Sequence, residues 1–154
     1  MSKLFEPAQL KLLTLQNRVV MAPMTRARTS QPGNIPNQMM ATYYKQRATA
    51  GLIISEATQI SDDSQGYSFT PGVYTDEQVA GWKTVTQAAK EQGAAIFCQL
   101  WHVGRVSHPR VHEGEQPTAP SALKPVETPV WIADEQGHGN LVEAVKTRAI
   151  DKAD

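Results

Sequence analysis

Gly51-Leu52-Ile53-Ile54-Ser55-Glu56-Ala57 is the stretch on which the fold turns. A glycine opens it, and the continuous apolar run behind the glycine has the length of a strand buried on both faces of a parallel sheet. Upstream, Val19-Val20-Met21-Ala22 is a run of the same kind, and downstream Ala94 to Leu100 is a third. Helical spacing fills the gaps. Pro36 suits the first turn of a helix, Met40, Tyr43, Tyr44 and Ala48 then recur on one face, and Gly51 marks the stop. Thr75 with Gln78 is a capping-box signature. Val79, Trp82, Val85 and Ala89 line the helix that follows, and Gly93 closes it. Tyr43, Tyr44 and Trp82 therefore read as packing residues rather than ligand contacts.

The order strand, helix, strand, helix, strand predicts an α/β fold with a parallel sheet and right-handed crossovers. It fits the start of a barrel and the start of a doubly wound sheet alike. No Gly-x-Gly-x-x-Gly follows any of the strands, which argues against a dinucleotide-binding half. Ahead of the repeat, Leu4-Phe5 and Leu12 to Leu15 around Pro7 read as a hairpin. Behind it, Pro109, Pro117, Pro120, Pro125 and Pro129 punctuate a stretch with no helical period. Residues 101–148 read as an extended loop and hairpin region, with Val130 to Ile132 pairing Leu141 to Val145 across Gly137-His138-Gly139-Asn140. Ala149 to Asp154 reads as the opening of another helix.

Composition narrows the function. Fifteen basic residues balance fifteen acidic ones over 154 residues, so neither nucleic acid nor a membrane surface is indicated as a partner. The N-terminus has no apolar run long enough for a signal peptide or a membrane span. The single Cys98, read as a small buried hydrophobe, excludes a disulfide framework and favours the cytoplasm. His102, His108 and His112 match no compact zinc motif, and no metal is expected.

The strand ends carry the chemistry. The first delivers Pro23, Met24 and the hydroxyl of Thr25; the second, Ala57 and Thr58; the third, the amide of Gln99 and then Trp101 and His102. These are neutral donors and acceptors plus an indole, with no paired carboxylates and no nucleophile–base pair. Such a set suits a flat, polar-edged heterocycle better than hydrolysis.

Asn17-Arg18-Val19-Val20-Met21-Ala22-Pro23-Met24-Thr25-Arg26, Gly51 to Thr58, Cys98-Gln99-Leu100-Trp101-His102-Val103-Gly104-Arg105 and Ala119-Pro120-Ser121-Ala122 together resemble the Old Yellow Enzyme family of FMN-dependent ene-reductases, in its bacterial N-ethylmaleimide reductase branch. The resemblance runs from about Leu4 to Ile150. It implies the N-terminal portion of a (β/α)8 barrel, FMN as cofactor and NAD(P)H as reductant. The implied substrates are small molecules: activated alkenes such as α,β-unsaturated carbonyls and maleimides, or nitro compounds. It also implies that Pro23, Met24 and Ala57 bring backbone against the flavin ring, that Thr25 bonds near the flavin carbonyl that gains charge on reduction, and that Gln99 holds the pyrimidine edge. Tyr67 and Trp101 would border the substrate pocket, with His102 and Arg105 buttressing the third strand's end.

A closed barrel of this type needs about 250 residues. Residues 1–154 are therefore expected to form one partial domain, without the family's later His-x-x-His or His-x-x-Asn pair, its proton-donating Tyr and its phosphate-binding loop. A separate chain supplying the missing barrel half is an expected partner. The alternative is a non-catalytic assembly piece or an inert product. The polypeptide alone is expected to be poorly soluble or partly disordered, because its third strand exposes an apolar edge.

Overall fold

In the computed structural model, which describes residues 2–134 and 136–151, the centre of the molecule is a parallel sheet in the order β3-β4-β5. Its strands are β3 (Val20–Met21), β4 (Leu52–Gln59) and β5 (Ala95–Trp101). Before it lies an antiparallel hairpin of β1 (Ala8–Leu10) and β2 (Leu13–Leu15), turned through Lys11 at φ 51°. Helices α1 (Gln38–Lys45) and α2 (Asp76–Lys90) connect the parallel strands. Met40, Ala41 and Tyr44 of α1 and Trp82, Val85 and Ala89 of α2 close over Ile53 on one face of the sheet.

Side-chain caps begin both helices. Asn37 Oδ1 accepts from Met40 N (3.1 Å). Thr75 Oγ1 accepts from Gln78 N (3.2 Å), and Gln78 Oε1 returns the favour to Thr75 N (3.1 Å). Buried Gln78 also donates Nε2 to Gly33 O (2.9 Å), fixing the loop after β3 against α2. The turn into β4 is held by Asn17, whose Oδ1 accepts from Val19 N (3.0 Å) and Gly51 N (2.9 Å) while Nδ2 donates to Thr49 O (2.8 Å). A Cβ on Gly51 would stand 2.0 Å from Asn17 O, so this close approach requires glycine.

Beyond β5 the elements are short: β6 (Thr118–Ala119), β7 (Pro129–Ala133), β8 (Gly139–Glu143) and β9 (Arg148–Ala149). The hairpin β7–β8 places Trp131 opposite Leu141 and buries Val130, Ile132 and Ala144.

The structure corrects four expectations. Leu4-Phe5 belongs to a 3-10 turn, Lys3–Phe5, and the hairpin begins only after Pro7, at Ala8. Pro36 stands outside α1, because Asn37 supplies the cap and the helix begins at Gln38. Ala149 forms no helix: β9 pairs in parallel with β6, and Arg148 N and Ile150 N donate to Pro117 O and Ala119 O (both 2.9 Å). Lys152 to Asp154 lie outside the described residues. Cys98 is exposed rather than buried, since β5 is the edge of its sheet with nothing described against its free side. Phe97 and Leu100 on the same strand are 47% and 60% exposed.

Candidate functional site

The site is assembled by register. Val20 pairs with Leu52, Leu52 with Ala95, Ile54 with Phe97, Ala57 with Gln99, and Gln59 with Trp101. Residues paired in a parallel sheet point the same way, so these side chains share the face turned away from the helices. Ala57, Gln99 and Trp101 are at the C-terminal ends of their strands, and Pro23, Met24 and Thr25 run on from the same end of β3. Pro23, Met24 and Thr25 are exposed, Ala57 is buried, and Gln99 is half-buried. Thr25 follows one outer strand and Gln99 lies near the end of the other, with Ala57 on the strand between them.

A bulge on β4 creates this alignment. Between Ile54 and Ala57 the strand advances by one residue more than β5 does between Phe97 and Gln99. The extra residue sets Ser55 and Glu56 side by side, and both are buried. Ser55 Oγ accepts from Gln99 N (3.1 Å) and donates to Glu56 O (2.8 Å). Glu56 Oε2 accepts from Arg26 N (2.9 Å) and Ala27 N (3.0 Å), and Glu56 N donates to Tyr44 Oη (2.7 Å). Burial pushes the Glu56 carboxyl above its ordinary range, against the two amide bonds and the charges of Arg26 and Arg28. Burial raises the Tyr44 phenol as well. Sequence reading passed over Ser55 and Glu56. The signal was two adjacent polar residues inside an otherwise apolar strand.

Tyr67 and Trp101 come together, half-buried, with ring centroids 5.9 Å apart and planes tilted by 52°. Trp101 Nε1–H is shut from solvent without a hydrogen-bond partner. His102 stands just outside this pair. Its Nδ1 accepts from Gly104 N (3.0 Å), which leaves Nε2–H to face Asp63 Oδ2 at 3.4 Å. Asp63 also accepts from Thr118 Oγ1 (3.2 Å). The Ser61 hydroxyl foremost, then His102, holds the Asp63 carboxyl below its usual range. Arg105 donates to Ser121 Oγ (2.9 Å). His102 and Arg105 thus tie the segment after β5 to the loops beside it.

Ser107 and His112 form a second buried pair, with Oγ 2.7 Å from Nε2. The serine's one proton goes to Gln65 O (2.6 Å), so the imidazole donates and the pair is no nucleophile–base couple. Burial holds the His112 imidazole below its ordinary pKa. Among the described residues no group of acidic, histidine or cysteine side chains is placed to hold a metal ion, and no helix is long and apolar enough to cross a membrane.

Residues 3–153 match the NADH:flavin oxidoreductase / NADH oxidase family. The chain belongs to this family. Its curated relatives include a flavin oxidoreductase, hxnT, of Emericella nidulans, 45% identical over 124 residues that make up 78% of this chain and 32% of that protein. The 12-oxophytodienoate reductase 1 of Oryza sativa is 50% identical over 105 residues, 68% of this chain and 27% of that one. Among solved structures, morphinone reductase in complex with tetrahydroNAD superposes with a TM-score of 0.90 at 49% identity, covering 99% of this chain and 42% of that one. An Old Yellow Enzyme homologue from Zymomonas mobilis gives a TM-score of 0.85 at 39% identity, over 99% and 41%. The chain therefore spans about a third of the length of these curated relatives. The family is the one that the strand-end motifs resemble, and the fold is the N-terminal portion of its (β/α)8 barrel.

The residues at the strand ends fit a flavin. Ala57 is small, Gln99 beside it carries an amide, Thr25 beyond β3 carries a hydroxyl, and none of the three is a carboxylate that would repel an electron-rich ring.

Proposed function

We propose that this chain supplies the flavin-ring side of an FMN-dependent oxidoreductase that draws on NAD(P)H to reduce activated alkenes, such as α,β-unsaturated carbonyls and maleimides, or nitro compounds. The observation that carries this reading is the pairing of Ala57 with Gln99 at the C-terminal ends of two adjacent strands, with Thr25 in the segment that leaves the same end of the third. FMN, when bound, supplies the two-electron hydride chemistry that none of these side chains can perform.

In this reading the backbone of Pro23, Met24 and Ala57 lies against the ring. The Thr25 hydroxyl donates towards the carbonyl that gains charge on reduction, which makes reduction easier. The Gln99 amide offers one donor and one acceptor to the pyrimidine edge. Tyr67 and Trp101, already in ring contact, border the space for substrate. In this reading the groups that polarise and protonate the substrate and grip the FMN phosphate belong to the rest of the barrel of a cytoplasmic enzyme.

The test is co-expression with the C-terminal barrel half of a family member, followed by FMN titration and NADPH-dependent reduction of N-ethylmaleimide. The expected result is a yellow complex whose FMN affinity falls about tenfold in Gln99→Ala, the worth of one hydrogen bond. Thr25→Ala is expected to slow reduction by NADPH by a similar factor. A complex that forms but takes up no FMN favours the second reading, an assembly piece without catalysis, for which the exposed Phe97 and Leu100 on the β5 edge speak.

A further inference from the structure

We propose that the bulge pair Ser55 and Glu56 are positioning residues that hold the backbone at Gln99 and just after Thr25, one on each side of the central strand, in place for a flavin ring. The inference rests on the flavin reading above and extends it to residues that would touch neither cofactor nor substrate.

The clamp is made of backbone bonds running outward from the central strand. Towards β5, Ser55 Oγ takes the Gln99 N–H, which fixes the main chain from which the Gln99 amide projects. Towards β3, Glu56 Oε2 takes the N–H groups of both Arg26 and Ala27, the two residues directly after Thr25. Ala27 lies in the left-handed region at φ 52°, which lets successive N–H groups converge on one oxygen. The segment after β3 has left the sheet by this point, since the paired residues of β3 end at Met21. The carboxyl thus ties Arg26 and Ala27 directly to β4. The two clamps are joined, because Ser55 Oγ–H donates to Glu56 O.

Stability alone does not account for Glu56. Its Oε1 is buried with no hydrogen-bond partner, an arrangement that costs stability, and burial raises its pKa. An isoleucine, as at Ile53 and Ile54 in the same strand, would pack without that cost. What an isoleucine cannot do is accept two amide bonds from a neighbouring segment. Here the carboxyl trades stability for a defined backbone position.

The experiment compares Glu56→Ala, Glu56→Gln and Ser55→Ala in the FMN-loaded complex, by FMN affinity, by the flavin absorption band and by amide exchange. Glu56→Ala is expected to raise exchange at Arg26 and Ala27 at least tenfold, to shift the flavin band and to weaken FMN about tenfold. Glu56→Gln, which keeps an acceptor oxygen, should restore affinity to within about threefold. Ser55→Ala should free the Gln99 amide and leave Arg26 and Ala27 protected. In double-mutant cycles Glu56→Ala should couple to Thr25→Ala, and Ser55→Ala to Gln99→Ala, but not the reverse. Uniform coupling, or loss of affinity with no rescue by Gln, would overturn the proposal. Should Thr25→Ala and Gln99→Ala themselves leave the flavin unchanged, the flavin reading fails first and the proposal with it. Should those two act while Glu56→Ala and Ser55→Ala do not, only the clamp is wrong. If Glu56→Ala does not fold, the Gln and Ser55 variants still decide.

Discussion

Between Val20 and Trp101 most of the sealed apolar residues, among them Met40, Tyr44, Ile53, Trp82, Val85 and Ala89, form one continuous core between two helices and a sheet. From 102 to 151 the described apolar residues sealed to that degree are Ala119, Val130, Ile132 and Ala144. This second region is fastened to the first by single polar bonds and by two aromatic contacts, Tyr67 on the cluster of Val130, Ile132 and Ala144 and Phe69 on Trp131. Ser107 Oγ donates to Gln65 O, Ser68 Oγ accepts from Ala133 N (3.0 Å), and Ser68 N donates to Trp131 O (3.2 Å). Thr147 Oγ1 holds its own region together through Ser121 O (2.9 Å) and Leu123 O (3.2 Å). Burial scales with area and is hard to undo at any one point, whereas a few anchoring bonds can be removed one at a time. The first region is held by a continuous core and the second by fewer, separable contacts.

The sharpest test of that contrast is Trp82→Ala against Ile132→Ala. Trp82 is buried in the main core and also donates Nε1 to Gly72 O (3.0 Å). Its loss should cost about 3–5 kcal/mol and lower the melting temperature of the whole unit. Ile132 is as well sealed, but its small cluster can collapse around the gap. About 2 kcal/mol is expected there, the low end for such truncations. Loss of hydrogen-exchange protection should stay within 102–151. If Ile132→Ala also exposes β4 and α2, the two regions are one cooperative unit and the comparison fails.

Next in size is Ser107→Ala. It strips Gln65 O of its donor and leaves the buried His112 Nε2–H without an acceptor, at about 1–3 kcal/mol. Limited proteolysis should then cut between 102 and 117 while β3–β5 stay intact. Equal resistance in the variant would show that the loop is held by something other than this anchor.

What could be read from the sequence follows the same division. Apolar spacing and glycine or capping punctuation marked α1, α2, β4 and β5, because burial in a continuous core forces a periodic pattern. The β7–β8 hairpin was read from two short apolar runs, but its turn was set at Gly137-His138-Gly139-Asn140, whereas Gly139 and Asn140 belong to β8 and pair with Ala133 and Ile132. Cys98 was misjudged because an edge strand and a central strand carry the same apolar run, and only the sheet order tells them apart. The strand at Arg148–Ala149 was missed because two residues pairing with Thr118–Ala119 leave no period. At the site, Thr25, Ala57 and Gln99 came from motif resemblance and not from pattern. The bulge that aligns them depends on a count of residues between two registers, which no single-strand reading contains.

The two regions should also answer pH with opposite signs. Glu56 is the acid whose carboxyl burial raises, so its favourable contribution is present in acid and is lost as pH climbs through the raised value. Glu56→Gln removes that loss, and its stability relative to the parent should improve as pH rises. His112 is a base held down by burial, so its contribution is full above the ordinary histidine range, about 6.5, and is lost as pH falls. Asp63, lowered chiefly by the Ser61 hydroxyl and then by His102, acts in the same direction at lower pH. Amide exchange followed from pH 7 to pH 5, corrected for its intrinsic rate, should therefore loosen 102–117 before β4. A loop that tightens in acid would contradict this sign.

The smallest effect expected is that of Lys124→Ala. Lys124 Nζ pairs with Glu143 on β8, and the side chains are 51% and 83% exposed. The lysine draws the glutamate's pKa down, first by its hydrogen bond and then by its charge. Water competes for both partners, and salt screens what remains. Removing the lysine should leave the melting temperature unchanged within error, at low and at high salt. This null result matters for the contrast between the regions. It would show that surface charge adds nothing to the shielded bonds at Ser107 and Ser68 and the aromatic contacts of Tyr67 and Phe69. A clear loss, greater at low salt, would mean that surface charge also holds the hairpin, and ionic strength would then control its release.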